Sequence, residues 1–336
     1  MSALPAPLVE LRAVSKRFER TLDLAERATR LLRPAAPAPA VHALDRVDLT
    51  VREGEVVGLV GESGCGKSTL GRIVARALSP SAGERLWKGR PYADFDSGRD
   101  RRERLAVQMI FQDPFASLNP RMRIVDIVGE APAVHGLVRR RERDEYVAGV
   151  LQRVGLDPAT MRRFPHQFSG GQRSRIGIAR ALAVRPAFLV CDEAVAALDV
   201  SIQAQVLNLF IKLREELGLA YLFISHDLGV IRHLSDRVVV MYLGRIVESA
   251  PKEELYARPN HPYTEALVME VPRIDARRRR YVPIRGEIPS PLAPPAGCHF
   301  HPRCPKAFAR CRAEAPRLRE IAPGHLSACH LNDGPP

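Results

Sequence analysis

One glycine-rich segment has the residue types and spacing of a phosphate-binding loop, running Gly61-Glu62-Ser63-Gly64-Cys65-Gly66-Lys67-Ser68-Thr69. Its glycines let backbone N–H groups turn inward around phosphates. Lys67 supplies a positive charge for the β- and γ-phosphates, and Ser68 supplies a hydroxyl for Mg²⁺. A strand is predicted before the segment and a helix after it, and the helix N-terminus favours an anion. The segment therefore predicts that a nucleoside triphosphate, ATP or GTP, is bound here.

Two adjacent carboxylates follow an apolar run farther along the chain. Asp192 and Glu193 come directly after Phe188-Leu189-Val190-Cys191. A carboxylate at the first position can hold Mg²⁺ through its water shell, and one at the second can orient or deprotonate an attacking water. The alternative is a solvated pair of charges with no special role. The phosphate loop upstream favours the catalytic interpretation.

Two further polar side chains follow predicted strands. Gln112 comes after the strand Val107–Phe111, and His226 after the strand Ala220–Ser225. In open α/β sheets, ligands bind at the carboxyl ends of the strands. We therefore expect both side chains at the same edge as the phosphate loop.

Strands and helices alternate along most of the chain, which is typical of a parallel sheet with crossover helices. The stretch between Asn119 and Pro165 is polar and helix-prone, with many arginines and glutamates over Val138–Val154. It predicts a helical subdomain over about 119–180. The segment Glu19–Ala40 is interpreted as an insertion or flexible loop. From about residue 251 the composition shifts towards proline, arginine and cysteine. We expect a nucleotide-binding domain over 1–250 and a small second domain over 251–336.

The segment Phe168-Ser169-Gly170-Gly171-Gln172-Arg173 resembles the signature segment of ATP-binding cassette (ABC) proteins. Together with the phosphate loop and the carboxylates, it makes residues 8–250 similar to an ABC transporter ATP-binding subunit. The resemblance implies an α/β fold of the P-loop NTPase type, a cassette with a helical subdomain. It also implies ATP hydrolysis coupled to closure of a dimer of cassettes.

The resemblance assigns roles to individual residues of this sequence. Gln112 would contact Mg²⁺ or water and sense the neighbouring subunit, and His226 would bond the γ-phosphate. Asp199, within Ala196-Ala197-Leu198-Asp199, would belong to the loop that crosses the dimer interface. Phe18 would stack on adenine, although a core aromatic on the first strand would give the same pattern. The residues that would cap the ATP of the partner subunit are Ser169, Gly170, Gly171 and Gln172.

Four positions depart from the common family pattern, namely Phe168, Ser174, Ala194 and Ala196. None of them removes a phosphate contact or a carboxylate. We therefore expect an active ATPase and not a catalytically silent regulatory module.

Two other segments resemble the oligopeptide/dipeptide branch of these subunits. They are Asn260-His261-Pro262-Tyr263-Thr264 and the stretch from Phe111 to Met122, which is closest to the F-type partner of a heterodimer. The resemblance implies import of di- or oligopeptides, with nickel, glutathione or another small solute as alternatives. The implied partners are a sister ATP-binding subunit, two transmembrane permeases and, indirectly, an extracytoplasmic solute-binding protein.

Four of the six cysteines lie near the C-terminus, at Cys298, Cys304, Cys311 and Cys329. Four thiolates in a short segment suit a metal centre, but the spacings lack the paired C-x₂-C of a zinc ribbon. The frame Gly-Cys298-His-Phe-His-Pro-Arg-Cys304-Pro resembles the 4Fe-4S site of the branch, with a structural role. A zinc site is the first alternative, and four free thiols without a metal are the second. The histidines that zinc would recruit are His299, His301, His325 or His330.

The net charge is +13, almost all of it from arginine. A basic chain can bind nucleic acid, but the basic residues are spread out. The one dense run, Arg277–Arg280, falls in a predicted linker. A soluble ABC ATPase acting on nucleic acid or ribosomes is therefore a weaker hypothesis. With no signal peptide and no apolar run long enough to span a bilayer, we expect the chain to stay in the cytosol. The resemblance to a transporter subunit then implies a peripheral position on the cytoplasmic face of the inner membrane.

Overall fold

The computed structural model of the protein describes residues 6–19, 40–96, 101–113, 117–271, 284 and 286–333. Apart from its two end residues, the insertion predicted over Glu19–Ala40 lies outside these residues. The arginine run Arg277–Arg280 lies outside them as well.

The described residues form two β-sheets. The strands are β1 Pro7–Glu19, β2 Ala40–Arg52, β3 Val56–Val60, β4 Ala82–Trp87, β5 Arg90–Pro91, β6 Val107–Ile110, β7 Phe188–Asp192, β8 Ala220–Ile224, β9 Arg237–Tyr242, β10 Arg245–Pro251, β11 Arg319–Ala322 and β12 His325–Ser327.

The larger sheet has the strand order β11-β12-β10-β9-β3-β8-β7-β6. The run from β6 to β9 is parallel throughout. Every residue of β3, β7 and β8 is buried, as expected for strands covered on both faces. The alternation predicted from the sequence is confirmed here, and it brings the carboxyl ends of these strands to one edge.

The smaller sheet is antiparallel, with the order β2-β1-β4-β5. Apolar side chains of β1 and β2 pack with those of β3 and β8 into one core, which includes Val9, Val47, Leu59 and Leu222. The sequence predicts only the inner parts of β1 and β2, because Leu8–Val14 and Val47–Val51 carry the apolar alternation. The outer residues mix polar and apolar types without regular alternation and are held by backbone pairing, as between Phe18 and Val41.

The helices are α1 Lys67–Val74, α2 Ala93–Asp96, α3 Arg101–Leu105, α4 Ile124–Val134, α5 Arg143–Arg153, α6 Gly170–Leu182, α7 Val200–Leu217, α8 Leu228–Leu234, α9 Lys252–Ala257, α10 Pro262–Met269 and α11 Ala309–Ala313. The helices α4 and α5 form the helical part predicted after residue 119. Within the helix-prone stretch Val138–Val154, α5 begins at Arg143, after a single 3₁₀ turn at Arg140–Glu142.

The segment beyond residue 250 is joined to the cassette by strand pairing and by shared apolar packing. Strand β12 pairs with β10 through Glu248 opposite Ser327. The side chains of Tyr263 and Phe300 belong to the same apolar core as β7 and β8. The segment predicted as a second domain therefore extends the main sheet of the first. None of the helices in the described part of the chain has the length and apolarity needed to cross a bilayer.

Candidate nucleotide site

The phosphate loop follows β3 and leads into α1, as the sequence predicts. Gly66 is the N-cap of α1 and has a φ of 108°. A Cβ atom at Gly66 would lie 2.4 Å from the backbone oxygen of Ala43, so a side chain there is excluded by both conformation and space. Ser63 and Gly64 are exposed, Cys65 is buried, and Thr69 is half-buried.

Lys67 is buried, and its ammonium group is aimed back at its own loop. Its Nζ donates to the backbone oxygens of Gly61 at 2.7 Å and Glu62 at 2.9 Å. A lysine held this way keeps one strong positive charge inside the curve of the loop. That charge is what a polyphosphate requires.

Ser68 and Asp192 meet across the gap between α1 and β7. The Oγ of Ser68 donates to Oδ1 of Asp192 at 2.9 Å. Burial raises the pKa of Asp192, while the hydroxyl of Ser68 and the positive charges of Arg72 and Lys67 act against that rise. A hydroxyl and a carboxylate oxygen side by side are the ligands that Mg²⁺ prefers.

Glu193 lies between the two other side chains predicted for the site. Gln112 donates from Nε2 to its Oε2 at 2.6 Å, and Nδ1 of His226 lies 3.2 Å from its Oε1. Glu193 has a φ of 47°, a left-handed conformation that costs a non-glycine residue energy. The turn after β7 thus aims the carboxylate at Gln112 and His226, so three elements bring their predicted residues to one point.

The signature segment forms the exposed N-terminus of the 13-residue helix α6. Ser169 and Gln172 make a capping box, in which each side chain bonds the backbone N–H of the other. A Cβ atom at Gly171 would lie 2.4 Å from Cγ2 of Ile202 on α7, so the helix end packs closely there. The N–H groups of Gly170 and Gly171, ahead of the capped N–H of Gln172, have no partner within the helix and can bind an anion supplied from outside.

Two predicted residues lie apart from this cluster. Asp199 is exposed at the start of α7, where its side chain makes no capping bond. Phe18 is 41% exposed, and Nζ of Lys16 lies 5.2 Å from the centre of its ring. This exposure excludes the core interpretation of Phe18. Its contact with adenine stays a prediction.

The four C-terminal cysteine thiols lie near one another and are free. Burial, followed by the charges of the other three thiols, raises the pKa of Cys298 to about 11, while the backbone N–H of Phe300 lowers it. The N–H groups of Lys306 and Leu331 act in the same way on Cys304 and Cys329. Within the described ranges, no group of three or more His, Cys, Asp or Glu side chains is arranged to hold a metal ion. The predicted metal centre therefore stays a prediction.

The four nearby histidines are engaged in bonds with the protein. Nδ1 of His299 bonds the oxygen of Leu243, and Nδ1 of His301 bonds the oxygen of Cys298. Nε2 of His325 lies 2.7 Å from Oε1 of Glu248. The two nitrogens of His330 bond Asp333 and the backbone of Glu314. His330 uses both ring nitrogens in these contacts, whereas His299 and His301 use Nδ1 alone, an arrangement that metal-bound histidines share. The zinc alternative therefore stays open.

Sequence reasoning missed one set of contacts to the phosphate loop. Glu62, the second residue of the loop, forms a two-bond ion pair with Arg303. The hydroxyl of Tyr263 accepts from the N–H of Glu62. Tyr263 lies in the Asn260–Thr264 motif, which resembles the oligopeptide branch, and Arg303 lies in the Cys298–Cys304 frame, which resembles a metal site. No spacing rule connects either of them to residue 62.

The fold and the site together define a P-loop ATPase of the cassette type, and comparison with known proteins agrees. The family profile described as "ABC transporter" matches residues 44–196, and the profile "Oligopeptide/dipeptide transporter, C-terminal region" matches residues 247–311. A solved structure titled as the dimeric post-hydrolysis state of the ATP-binding cassette MJ0796, bound to ADP and Pi, superposes with a TM-score of 0.61. Its identity is 27%, over 73% of this chain and 98% of that one.

Curated relatives cover nearly the whole chain. The oligopeptide transport ATP-binding protein AppF of Bacillus subtilis is 49% identical, over 96% of this chain and 97% of its own length. A putative peptide import ATP-binding protein of Brucella ovis is 53% identical, over 85% of this chain and 90% of its own length. The chain belongs to the ABC transporter family of ATP-binding proteins, with the C-terminal region of the oligopeptide/dipeptide type. It is an ABC-type ATPase.

Proposed function

We propose that the chain is the ATP-hydrolysing subunit of an ABC importer of di- or oligopeptides. The observation that carries this proposal is the joint presence of the assembled catalytic cluster and the C-terminal region of the oligopeptide/dipeptide type. The relatives named for peptide transport or import cover both parts of the chain. The alternatives of nickel, glutathione or another small solute share the same ATPase.

In this proposal ATP is bound by the loop after β3. Lys67 holds the β- and γ-phosphates, and the N–H groups of the loop and of α1 surround them. Ser68 and Asp192 fit Mg²⁺, since their oxygens are already 2.9 Å apart. The ion would neutralise phosphate charge when bound. Phe18, exposed at the end of β1, stacks on the adenine.

Hydrolysis centres on Glu193. Its carboxylate orients a water molecule and accepts its proton as the water attacks the γ-phosphorus. His226 bonds the γ-phosphate and Gln112 positions the water or the ion. Both side chains contact Glu193, so a change in the position of either one alters the surroundings of its carboxylate.

Work is done by closing two cassettes over two ATP molecules. The exposed N-terminus of α6, with Ser169, Gly170 and Gly171, caps the ATP held by the partner, and Asp199 contacts the partner nearby. Shifting a dimer from mostly open to mostly closed needs about 5.5 kcal/mol of differential binding. A few charge-assisted hydrogen bonds of about 1.5–3 kcal/mol each supply that amount, and phosphate release removes them.

We further propose that the partner is a related sister subunit, as the F-type resemblance implies, and that two permeases receive the motion through the helical part α4–α5. A solute-binding protein delivers the solute from outside. The chain then resides peripherally on the cytoplasmic face of the inner membrane.

For the four cysteines we propose a 4Fe-4S cluster with a structural role. The backbone N–H of Cys298 donates to the oxygen of Cys311 at 2.9 Å, so these two cysteines lie side by side in the fold. Backbone N–H groups of Phe300, Lys306 and Leu331 act against the rise that burial causes in the pKa values of Cys298, Cys304 and Cys329. When bound, the cluster would tie the segment around Cys298 to the C-terminal residues around Cys329.

Two measurements test these proposals separately. The chain, purified without oxygen, is analysed for iron, sulfide and zinc. About four irons and four sulfides with broad visible absorbance support the cluster, and one zinc or no metal contradicts it. The importer itself is tested by co-purification from membranes. Two polytopic membrane proteins and a sister ATPase support the proposal, whereas RNA, or recovery without membrane proteins, contradicts it.

A further inference from the structure

Glu62 is held at three points, and two of the holders come from the C-terminal segment. Nη1 and Nη2 of Arg303 donate to its carboxylate at 2.7 and 3.0 Å. Its own N–H donates to the hydroxyl of Tyr263 at 2.8 Å. Its backbone oxygen accepts from Nζ of Lys67 at 2.9 Å. The first turn of the phosphate loop is thus fixed between Lys67, which binds phosphate, and a distant part of the chain.

Arg303 is built into the protein and is no surface charge. Its side chain is 5% exposed, and that of Glu62 is 24% exposed. Nη1 of Arg303 also lies 3.4 Å from the hydroxyl of Tyr242, and Cζ of Arg303 lies 5.9 Å from the centre of the Tyr242 ring. A bidentate arginine–carboxylate pair of this kind fixes direction as well as distance.

The segment that carries these groups is itself closely packed and hydrogen-bonded. The rings of Tyr263 and Phe300 contact each other and the ring of Tyr242, with centroids 4.8–5.3 Å apart. Glu248, fully buried in β10, accepts from the N–H groups of Asn260 and His261, which start the helix of Tyr263. A positioning device needs this kind of support, because a loose holder would move with the loop.

We propose that Arg303 and Tyr263 are positioning residues for the phosphate loop, which hold Glu62 and so set the affinity for MgATP. The proposal rests on the assignment of this loop as the ATP site. It gives a physical role to the Asn260–Thr264 motif and to the Cys298–Cys304 frame: the first presents Tyr263 and the second presents Arg303. Nucleotide binding and the fold of the C-terminal segment are then linked.

A matched pair on the same sheet separates positioning from ordinary stability. Arg237 and Glu55 are 17% and 13% exposed and lie 2.7 Å apart. They stand at the amino ends of β9 and β3, whereas the phosphate loop follows the carboxyl end of β3. We expect loss of this pair to lower the free energy of unfolding by a similar amount while the phosphate loop keeps its contacts.

The experiment is a titration of MgATP into the full-length chain by calorimetry, under conditions without turnover. We expect Arg303→Gln to weaken binding by roughly tenfold, the size of one lost charge-assisted hydrogen bond. Arg237→Gln should bind MgATP within about twofold of the parent, although both variants melt at lower temperature. Equal affinities for Arg303→Gln and the parent would overturn the proposal.

Two further variants distinguish a specific loss of loop positioning from a general loss of folded structure. Glu62→Gln in the Arg303→Gln background should recover a large part of the affinity, because it removes the carboxylate left unpaired in the loop. Tyr263→Phe, which removes only the acceptor for the N–H of Glu62, should weaken binding severalfold. If neither change alters affinity, the C-terminal segment does not position the loop.

Failure of the underlying site assignment would look different. In that case Lys67→Ala would bind MgATP as the parent does. When Lys67→Ala loses binding and Arg303→Gln does not, the loop is the ATP site and the positioning proposal alone is wrong.

Discussion

The side-chain amide of Gln112 donates a 2.6 Å hydrogen bond to Oε2 of Glu193. The two residues come from different strands, since Gln112 follows β6 and Glu193 follows β7, which are parallel neighbours. Nδ1 of His226 lies beside the other carboxylate oxygen. The three side chains therefore form one unit at the carboxyl edge of the sheet, and a change in one is expected to alter the chemistry of the others.

His226→Ala should lower kcat for ATP by about 10²–10³ with little change in the KM for MgATP, because it removes one group that stabilises charge on the γ-phosphate in the transition state. Steady-state phosphate release measures both constants. The exposed His233, on α8, serves as a matched control, and His233→Ala should leave both constants unchanged. A kcat for His226→Ala within about threefold of the parent would contradict its role.

Gly66→Ala should destabilise the protein by about 2 kcal/mol or more, because φ at this position is 108° and the added Cβ meets the oxygen of Ala43. Chemical denaturation gives the free energy of unfolding. Gly54→Ala is the control, since Gly54 also has a positive φ, 67°, but a Cβ added there would meet no atom within 4 Å beyond its chain neighbours. Equal losses for the two variants would show that the contact with Ala43 adds nothing.

His261 makes the stability depend on pH. Burial lowers its pKa from 6.5 to about 3, so the unfolded chain binds a proton that the folded chain does not bind between these values. Above about pH 6.5, His261 is neutral in both states and the free energy of unfolding does not depend on it. As the pH falls below this value, the free energy of unfolding decreases by roughly 1.4 kcal/mol per pH unit.

The variant that tests this is His261→Asn, because an asparagine oxygen can also accept the N–H of Tyr263 at the start of α10. We expect the parent to lose more stability than His261→Asn between about pH 7 and pH 5, as measured by urea denaturation. Parallel pH profiles for the two proteins would show that His261 does not titrate in this way.

Ser169→Arg should prevent ATP-dependent dimerisation while MgATP still binds to the separate chain. Ser169 is exposed at the end of α6, so the larger side chain fits the separate chain but occupies the place of the partner's phosphate. Analytical ultracentrifugation of the chain mixed with its sister subunit and MgATP, in the Glu193→Gln background, reports the mass of the complex. Exposed Arg162→Ala is the control and should still dimerise; a dimer with Ser169→Arg would contradict the proposed interface.

The parallel sheet and the nucleotide loop could be predicted from the sequence because their signals are local. The runs Val56–Val60 and Ala220–Ile224 are continuously apolar, and the glycines and Lys67 follow the first of them at fixed spacing. The meeting of Gln112, Glu193 and His226 also follows, since parallel strands end at one edge.

Long-range pairing could not be predicted in the same way. Strand β12 has three residues, and nothing in His325–Ser327 indicates that it pairs with β10. The pairing is stabilised by the contact between Nε2 of His325 and Oε1 of Glu248, two residues that are 77 positions apart in the sequence. The ion pair between Glu62 and Arg303 spans 241 residues and depends on the same docking. Such contacts follow from the assembled core, and a sequence pattern contains no sign of them.

The central claim, that Glu193 drives ATP hydrolysis in a closed dimer, is tested most directly with Glu193→Gln. We expect this variant to bind MgATP as tightly as the parent, to form a stable dimer with MgATP and to lose turnover by about 10²–10⁴. Phosphate release and sedimentation on the same sample report both properties. The sample contains the sister subunit that co-purifies with the chain, and normal turnover, or failure of the two subunits to associate when MgATP is bound, would contradict the account.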